Sequence, residues 1–323
     1  QGFHDGLFLD GLRELPLDVA KPLAAREGYL SLDALTELKP EVAEELARHQ
    51  GPISLSGFVT IPDAVAERIT THAGSLYLDG LTTLEPALAA VLARHKGDLS
   101  LLGVTSLSRE AAAAFAAHEG GLLLDGLPTL DPTAAQSIAA CRGDLSLGGL
   151  TSLPRPVAEP LAGHAGSLAL GGLVGIDADA AAALAGHRGG LSLNAVRDLS
   201  PEAAAALARS SHALSLVSIE KLSKPVAEAL GTHRAPLVLN GVRKLAPDVA
   251  EALAHRESGL ELDGLTSLPD PVAAALARHK GTLVLQGVTT LSLPAAQALA
   301  AHDGVVVLTG ITTLHPDAVA VLR

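Results

Sequence analysis

The feature that most limits the fold of this chain is a strict internal period of 23 residues. A pair of apolar residues, separated by one residue, recurs without any insertion. The first members of the pairs are Leu7, Leu30, Ile53, Leu76, Leu99, Leu122, Leu145, Leu168, Leu191, Leu214, Leu237, Leu260, Leu283 and Val306. Such a period is typical of repeat proteins, in which each unit buries its apolar side only against its neighbours. We therefore expect one array of fourteen repeats over residues 1–323.

Each repeat begins with the pattern of a short strand followed by a turn. Residues 99–101 alternate apolar and small side chains, as a strand with one buried face should. A glycine such as Gly103 follows in most repeats, and we expect it to turn the chain with a positive φ. Two apolar columns, represented by Val104 and Leu107, stay apolar in every repeat and are predicted to point into the core.

A helix follows the turn. It begins at acidic, serine or proline residues, as at Ser200 and Pro201, which favour helix starts. Val42, Leu46 and His49 lie at i, i+4 and i+7, so they share one buried stripe. A second glycine column, which includes Gly51, is predicted to end each helix in a left-handed conformation.

Small side chains on the helices complete the predicted architecture. The columns of Ala43 and Ala47 are almost entirely alanine, which lets neighbouring helices approach closely. Packed helices are usually ~8–10 Å apart and strands ~4.8 Å apart, so a stack of such units bends. We predict an open, gently curved α/β solenoid with about fourteen strand-turn-helix units and a parallel inner sheet.

Composition excludes several other classes of protein. Hydrophobic residues make up 48% of the chain, but with four Phe, two Tyr and no Trp the core must consist of thin aliphatic layers. A formal charge of −12 opposes nucleic-acid binding, which needs clustered Lys and Arg. No apolar run approaches the ~20 residues of a membrane-spanning helix. The single Cys141 rules out an internal disulfide framework.

The repeat resembles the leucine-rich repeat family over essentially the whole chain, through its strand Leu-x-Leu, its period and its helix. It departs from the common pattern because the buried Asn is missing and a glycine followed by an apolar residue, as in Gly80 and Leu81, takes the turn. It is most similar to divergent bacterial long-array versions, some of which carry Cys where this chain has mostly His. The resemblance implies binding of a protein or another ligand through the sheet face, without catalysis or a cofactor.

Most histidines fall in one column near the helix ends. They are His49, His72, His95, His118, His164, His187, His233, His279 and His302. Arg26, Cys141, Ser210 and Arg256 fill other turns of the column. Because these histidines face inward at the ends of helices, we predict that they form hydrogen bonds with unpaired carbonyl groups of the helix or with the backbone of an adjacent repeat. Metal binding and a pH switch are the alternatives. Metal ligation needs convergent rings with supporting partners, which a straight column does not provide.

The residues in the middle of the strands are predicted to be exposed and to form a flat, serine-rich strand face. They are Phe8, Ser31, Ser54, Tyr77, Ser100, Leu123, Ser146, Ala169, Ser192, Ser215, Val238, Glu261, Val284 and Val307. This face could bind an extended chain, a glycan or another copy of the protein, or it could simply be solvated. Aspartates directly after the strands, such as Asp33 and Asp79, are predicted to satisfy turn backbone groups, with weak cation binding as the alternative.

A charged patch interrupts the threonine-rich turns in repeats nine to eleven. The candidate binding residues there are Arg197, Lys221, Lys224, Arg243 and Lys244. A local departure from a strict pattern favours a partner site, although scattered solubility charges would produce the same pattern.

No catalytic or phosphate-binding motif occurs, and every notable polar residue belongs to a repeated column, so we predict that the chain is not an enzyme.

The main hypothesis is an interaction scaffold with an unknown protein or peptide partner. The alternative is a structural protein that self-assembles into a filament or coat. Neither end has the pattern of a cap, and Gln1 and Arg323 occupy the same column, so one copy could continue onto another. The chain contains no Met, which indicates a mature product or a piece of a longer array.

Overall fold

A computed structural model describes residues 6–314 and 316–322 of the chain. The residues form two compact units. The first extends to Thr151 and includes Gly163–Leu170, and the second comprises Ser152–Ala162 and the chain from Gly171 onward. Gln1 and Arg323 lie outside the described residues, so the continuation of one copy onto another stays a prediction.

The first unit contains eight short strands, one in each repeat. They are β1 (Leu7–Phe8), β2 (Leu30–Ser31), β3 (Ile53–Ser54), β4 (Leu76–Tyr77), β5 (Leu99–Ser100), β6 (Leu122–Leu123), β7 (Leu145–Ser146) and β8 (Leu168–Ala169). Each strand pairs in parallel with the next, so Leu7 lies opposite Leu30 and Leu145 lies opposite Leu168. The register is one whole repeat throughout the unit, as the period predicts.

The second unit repeats this arrangement. Its strands are β9 (Leu191–Ser192), β10 (Leu214–Ser215), β11 (Leu237–Val238), β12 (Leu260–Glu261), β13 (Leu283–Val284) and β15 (Val306–Val307). They are again parallel and in register, with Leu214 opposite both Leu191 and Leu237. A separate pair, β14 (Thr290–Leu291) and β16 (Thr313–Leu314), joins two threonine-rich turns. The predicted parallel strand-helix repeats are therefore confirmed.

One short helix follows the strand of each repeat. The first unit has α1 (Leu17–Ala24), α2 (Pro40–Leu46), α3 (Asp63–Ile69), α4 (Pro86–Leu92), α5 (Arg109–Ala114), which continues into a 3₁₀ turn (Phe115–Ala117), and α6 (Pro132–Ile138). The second has α7 (Arg155–Leu161), α8 (Ala178–Leu184), α9 (Pro201–Leu207), α10 (Lys224–Gly231), α11 (Pro247–Ala254), α12 (Asp270–Leu276), α13 (Leu293–Ala300) and α14 (Pro316–Val321). Helices this short are marginal alone, so they depend on packing against adjacent repeats.

The core consists of one aliphatic layer per repeat. In the second repeat Leu30, Leu32 and Leu35 come from the strand side, and Val42 and Leu46 come from α2. All five are at most 1% exposed. The apolar columns of the sequence therefore form the core, as predicted.

The turn glycines have a different role from the predicted one. Among the described glycines, positive φ occurs at Gly28 and Gly304, and the turn column has none. A Cβ at Gly57 would lie 2.5 Å from the carbonyl oxygen of Leu35, and one at Gly80 would lie 2.7 Å from that of Phe58. The prediction of positive φ was wrong for this column. At Gly57 and Gly80 the glycine leaves room for the backbone of the preceding repeat, although Ala34, Ala195 and Ser218 occupy the same column in other repeats.

The glycines after the helices follow the same rule. Helix α2 ends at Ala47 in a right-handed conformation, followed by a hydrogen bond from the His49 amide to the Leu46 carbonyl. A Cβ at Gly74 would lie 2.7 Å from the carbonyl oxygen of Gly51. The predicted left-handed helix ends are therefore wrong for this column apart from Gly28 and Gly304, and close contact with the preceding repeat accounts for the glycine.

Candidate functional site

The histidine column forms a buried ladder. Its members are buried except His302, which is half-buried. The ring of His302 faces the preceding repeat, with Nε2 2.8 Å from the carbonyl oxygen of Gly281 and Nδ1 3.3 Å from that of Ala277. His49 makes the same short contact, with Nε2 2.8 Å from the carbonyl oxygen of Gly28. The predicted ladder is present, and it connects a repeat to the one before it at His49, His95, His164, His233, His279 and His302.

The contacts of His279 indicate a neutral ring that donates through Nε2. Its Nε2 lies 2.8 Å from the carbonyl oxygen of Ser258, and a carbonyl oxygen can only accept. The backbone amide of Gly281 donates to Nδ1 at 3.2 Å, which requires that nitrogen to carry no proton. Both ring nitrogens are thus satisfied without a positive charge.

Burial lowers the pKa values of four ladder histidines. It lowers the pKa of His72 to about 4, with smaller contributions from His95 and His49. Burial also lowers the pKa values of His95 and His279, as it does for His233, where the charge of Arg256 adds to the effect. These four rings therefore resist protonation in the folded protein.

The rings stack along the ladder and do not converge on one point. His72 and His95 have ring centroids 6.2 Å apart and planes inclined by 14°. Among residues 6–314 and 316–322, no three His, Cys, Asp or Glu side chains are grouped so that they could hold a metal ion. The arrangement suits a structural contact between repeats better than metal binding.

Arg256 takes the place of a histidine in the ladder and satisfies similar groups. It is 2% exposed, and its guanidinium donates to the carbonyl oxygens of Ala235 at 2.6 Å and Leu230 at 3.1 Å. Burial lowers the pKa of Arg256 to about 10. Arg26, in the same column of the first repeat, is exposed.

Cys141, also in this column, is a buried thiol. It is 2% exposed, and its Sγ lies 3.8 Å from Nδ1 of His164. Burial raises the pKa of Cys141 to about 11, so the reactive thiolate is disfavoured.

The strand face is less exposed than predicted. Ser31, Ser54 and Ser100 are at most 2% exposed, so the prediction was wrong for them. Ser54 Oγ donates to Oδ1 of Asp33 in the preceding repeat at 2.5 Å, and the amide of Ser56 donates to the same oxygen at 2.8 Å. A small hydroxyl beneath the carboxylate of its neighbour is shielded from water. The aspartates also satisfy backbone groups, as predicted.

An aromatic patch on the strand face of the first unit was not predicted. It consists of Phe8, Tyr29 and Tyr77. The centroid of the Tyr29 ring lies 5.4 Å from that of Phe8 and 5.9 Å from that of Tyr77. Phe8 is 56% exposed, and both tyrosines are half-buried. Tyr29 lies one residue before its strand, so a comparison of equivalent strand positions does not group it with Phe8 and Tyr77. The signal in the sequence was that aromatic residues are rare elsewhere in the chain.

The five basic candidate residues of repeats nine to eleven are exposed on the second unit. We call Arg197, Lys221, Lys224, Arg243 and Lys244 the charged edge. The amide of Arg243 donates to the carbonyl oxygen of Glu220 at 3.4 Å, which aligns the turns of successive repeats. Lys224 begins α10, where its Nζ lies 4.0 Å from Glu228.

Comparison with solved structures finds similar folds at low sequence identity. A leucine-rich-repeat protein of Leptospira interrogans is 18% identical, covering 98% of this chain and 87% of that one, with a TM-score of 0.49. An internalin of Listeria monocytogenes is 14% identical, covering 98% and 84%, with a TM-score of 0.38. TLR13, in a complex with single-stranded RNA, is 14% identical, covering 93% and 52%, with a TM-score of 0.52. Similarity at these identities concerns the fold alone.

No protein-family model and no curated protein sequence matches the chain. Within the described part of the chain, the helices are too short or too polar to cross a bilayer.

Proposed function

We propose that this chain, a leucine-rich-repeat solenoid by its fold, is a non-catalytic scaffold that binds a protein partner through its strand face and its charged edge. The supporting observation is the strict strand register, which places one side chain per repeat in a continuous row within each unit. The buried polar columns already connect neighbouring repeats, as His49 and Asp33 do. The residues that remain for recognition are therefore those on the surface.

The charge of the strand face favours a protein partner over a nucleic acid. The TLR13 chain named above binds single-stranded RNA in its reported complex. In the present chain, neither the middle strand position nor the second residue after each strand is Lys or Arg in any repeat. Glu261 occupies the first of these columns, and Asp10, Asp33 and Asp79 occupy the second. Phosphate binding relies on Lys and Arg, so this face opposes it.

The charged edge is the second proposed contact surface. Its basic residues are exposed on a chain whose formal charge is −12. Asp198 and Glu220 are the sequence neighbours of Arg197 and Lys221, so the positive charge is concentrated at Arg243 and Lys244. This pair suits an acidic surface on a partner, because complementary charges accelerate and orient association.

A pull-down from the source cells with the full chain tests this proposal. The Arg243→Glu/Lys244→Glu variant should lose a partner that the wild type retains, without a change in melting temperature. The control is Thr82→Glu/Thr83→Glu, which adds the same side chains to the equivalent turn of repeat four and should retain that partner. Equal recovery by both variants would count against the charged edge.

Light scattering separates this function from self-assembly. A scaffold should remain a monomer as its concentration rises, since it reserves its surface for another protein. A mass that grows with concentration would favour the filament or coat instead.

A further inference from the structure

The aromatic patch forms a continuous strip across four strands of the first unit. Phe8 lies on β1 and Tyr77 on β4, and Tyr29 contacts both rings. Neighbouring strands are ~4.8 Å apart, so the strip is about 14 Å long. The chain has only four Phe and two Tyr, and three of these residues lie here. Exposed apolar surface concentrated at one place is typical of an interaction site.

Carboxylates lie beside this strip. Asp10, Asp33 and Asp79 follow β1, β2 and β4. Ser31, which pairs with Phe8, donates its hydroxyl to Oδ1 of Asp10, and Ser100, which pairs with Tyr77, donates to Oδ1 of Asp79 at 2.6 Å. These carboxylates therefore lie on the strand face beside the strip, and burial together with nearby carboxylate charges raises the pKa of Tyr29. Hydrogen bonds from the next repeat orient each carboxylate. The backbone amide of Asp33 donates to Asp10, that of Ser56 donates to Asp33, and that of Leu102 donates to Asp79.

Two of the positive charges of the first unit lie at the helices and are paired with glutamates. Arg48 pairs with Glu45 at 3.2 Å, and Arg68 pairs with Glu44 at 3.5 Å, both at the helices. The strand positions themselves hold no Lys or Arg. The face that carries the aromatic patch therefore presents negative charge without a neighbouring cation in the strand columns.

We propose that Phe8, Tyr29 and Tyr77, together with Asp10, Asp33 and Asp79, bind an extended basic segment of a partner protein. This inference rests on the proposed scaffold function and assigns a partner chemistry to its strand face. Carboxylates attract Lys and Arg side chains, and aromatic faces bind the same cations while covering their aliphatic stems. The combination selects a basic protein segment, because either group alone would be less specific.

The spacing of the carboxylates predicts the pattern of the segment. Asp10 and Asp79 are separated by three strand intervals, about 14 Å. An extended chain rises ~3.3 Å per residue, so basic residues four positions apart are about 13 Å apart. A segment lying across the strands, with Arg at every fourth position, can therefore place one Arg near each end of the strip.

Fluorescence anisotropy with the full chain tests this inference. The probe is a labelled twelve-residue Gly/Ser peptide with Arg at every fourth position, and the matched probe carries Glu at those positions. We expect the Arg peptide to bind, with an affinity that falls as salt rises, and the Glu peptide not to bind. Absence of Arg-peptide binding at millimolar concentration, or equal binding of both peptides, would overturn the inference.

Two variants test the residues without removing structural contacts. Asp10→Asn/Asp79→Asn removes charge but keeps the acceptor, as Asn194 does when it accepts from Ser215 at 2.6 Å. Phe8→Ser/Tyr77→Ser introduces serine, the commonest residue of this column. Each should weaken Arg-peptide binding at least tenfold, and unaltered affinity in both would overturn the assignment.

The control Asp125→Asn/Asp263→Asn changes the same column away from the aromatic patch and should retain the affinity for the Arg peptide within about twofold. A loss as large as that of the patch variants would mean that general charge drives binding, and it would overturn the assignment. If peptide binding fails while the pull-down retains a partner through the charged edge, the inference fails and the scaffold function stands. If the wild type retains no partner and binds no peptide, both fail.

Discussion

At the scale of single residues, the polar columns are explained by contacts between adjacent repeats. His302 bonds to the carbonyl oxygen of Gly281, and Arg256 reaches the carbonyl oxygen of Ala235, which precedes it by the same number of residues. Asp33 accepts from Ser54 and Ser56 of the next repeat. Each of these side chains satisfies a polar group that stacking would otherwise leave unpaired, and an unpaired buried group is costly.

The lowered histidine pKa values predict a loss of stability in acid. The pKa of His72 is about 4 in the folded chain, below the ordinary histidine value of 6.5, so the unfolded chain binds the proton more readily between these values. The contribution of neutral His72 to the free energy of unfolding is complete above the pKa of the unfolded chain, and it decreases as the pH drops toward 4. The full loss is about 3 kcal/mol for a shift of this size. Thermal unfolding from pH 8 to pH 5 should therefore show a falling melting temperature.

Two matched variants test whether His72 causes this pH dependence of the melting temperature. His72→Asn should reduce the slope of melting temperature against pH, whereas His255→Asn, at an exposed position, should leave the slope unchanged. A melting temperature that is indifferent to pH between 5 and 8 would contradict burial of neutral rings.

At the scale of strands, turns and helices, the period predicted the order of elements and their register. The apolar columns identified the buried side chains because burial imposes the same requirement in every repeat, as Leu32 and Leu35 illustrate. Other features depend on contacts between repeats. A glycine column has the same pattern whether the cause is positive φ or close stacking. Likewise, burial of Ser31 and Ser54 depends on neighbouring side chains, and Tyr29 meets Phe8 only in three dimensions.

The turn glycines give a prediction at this scale. Gly57→Ala should destabilise the protein by about 1–3 kcal/mol, because its Cβ would overlap the backbone of the preceding repeat. Gly11→Ala is the matched control in the same column, where an added Cβ meets no atom within 4 Å. Urea unfolding of both variants measures the difference. Equal stability of the two would contradict the stacking explanation.

At the scale of the whole molecule, each repeat is one layer whose apolar side is covered by its neighbours. Leu99 pairs with Leu76 on one side and with Leu122 on the other, one repeat away in each direction. Stability in such an array is approximately a sum of repeat and interface contributions. Removal of a complete layer should therefore leave two surfaces that can pack on each other.

Unfolding of a deletion variant tests this claim most directly. Deletion of residues 99–121 removes one whole repeat and places Leu122 where Leu99 stood, so we predict a folded monomer with a cooperative urea transition. Deletion of residues 99–108 removes a strand and a turn but keeps α5, which then lies out of register with its neighbours. This deletion should abolish cooperative unfolding. Loss of folding in both variants, or retention in both, would contradict the claim that the repeat is the structural unit.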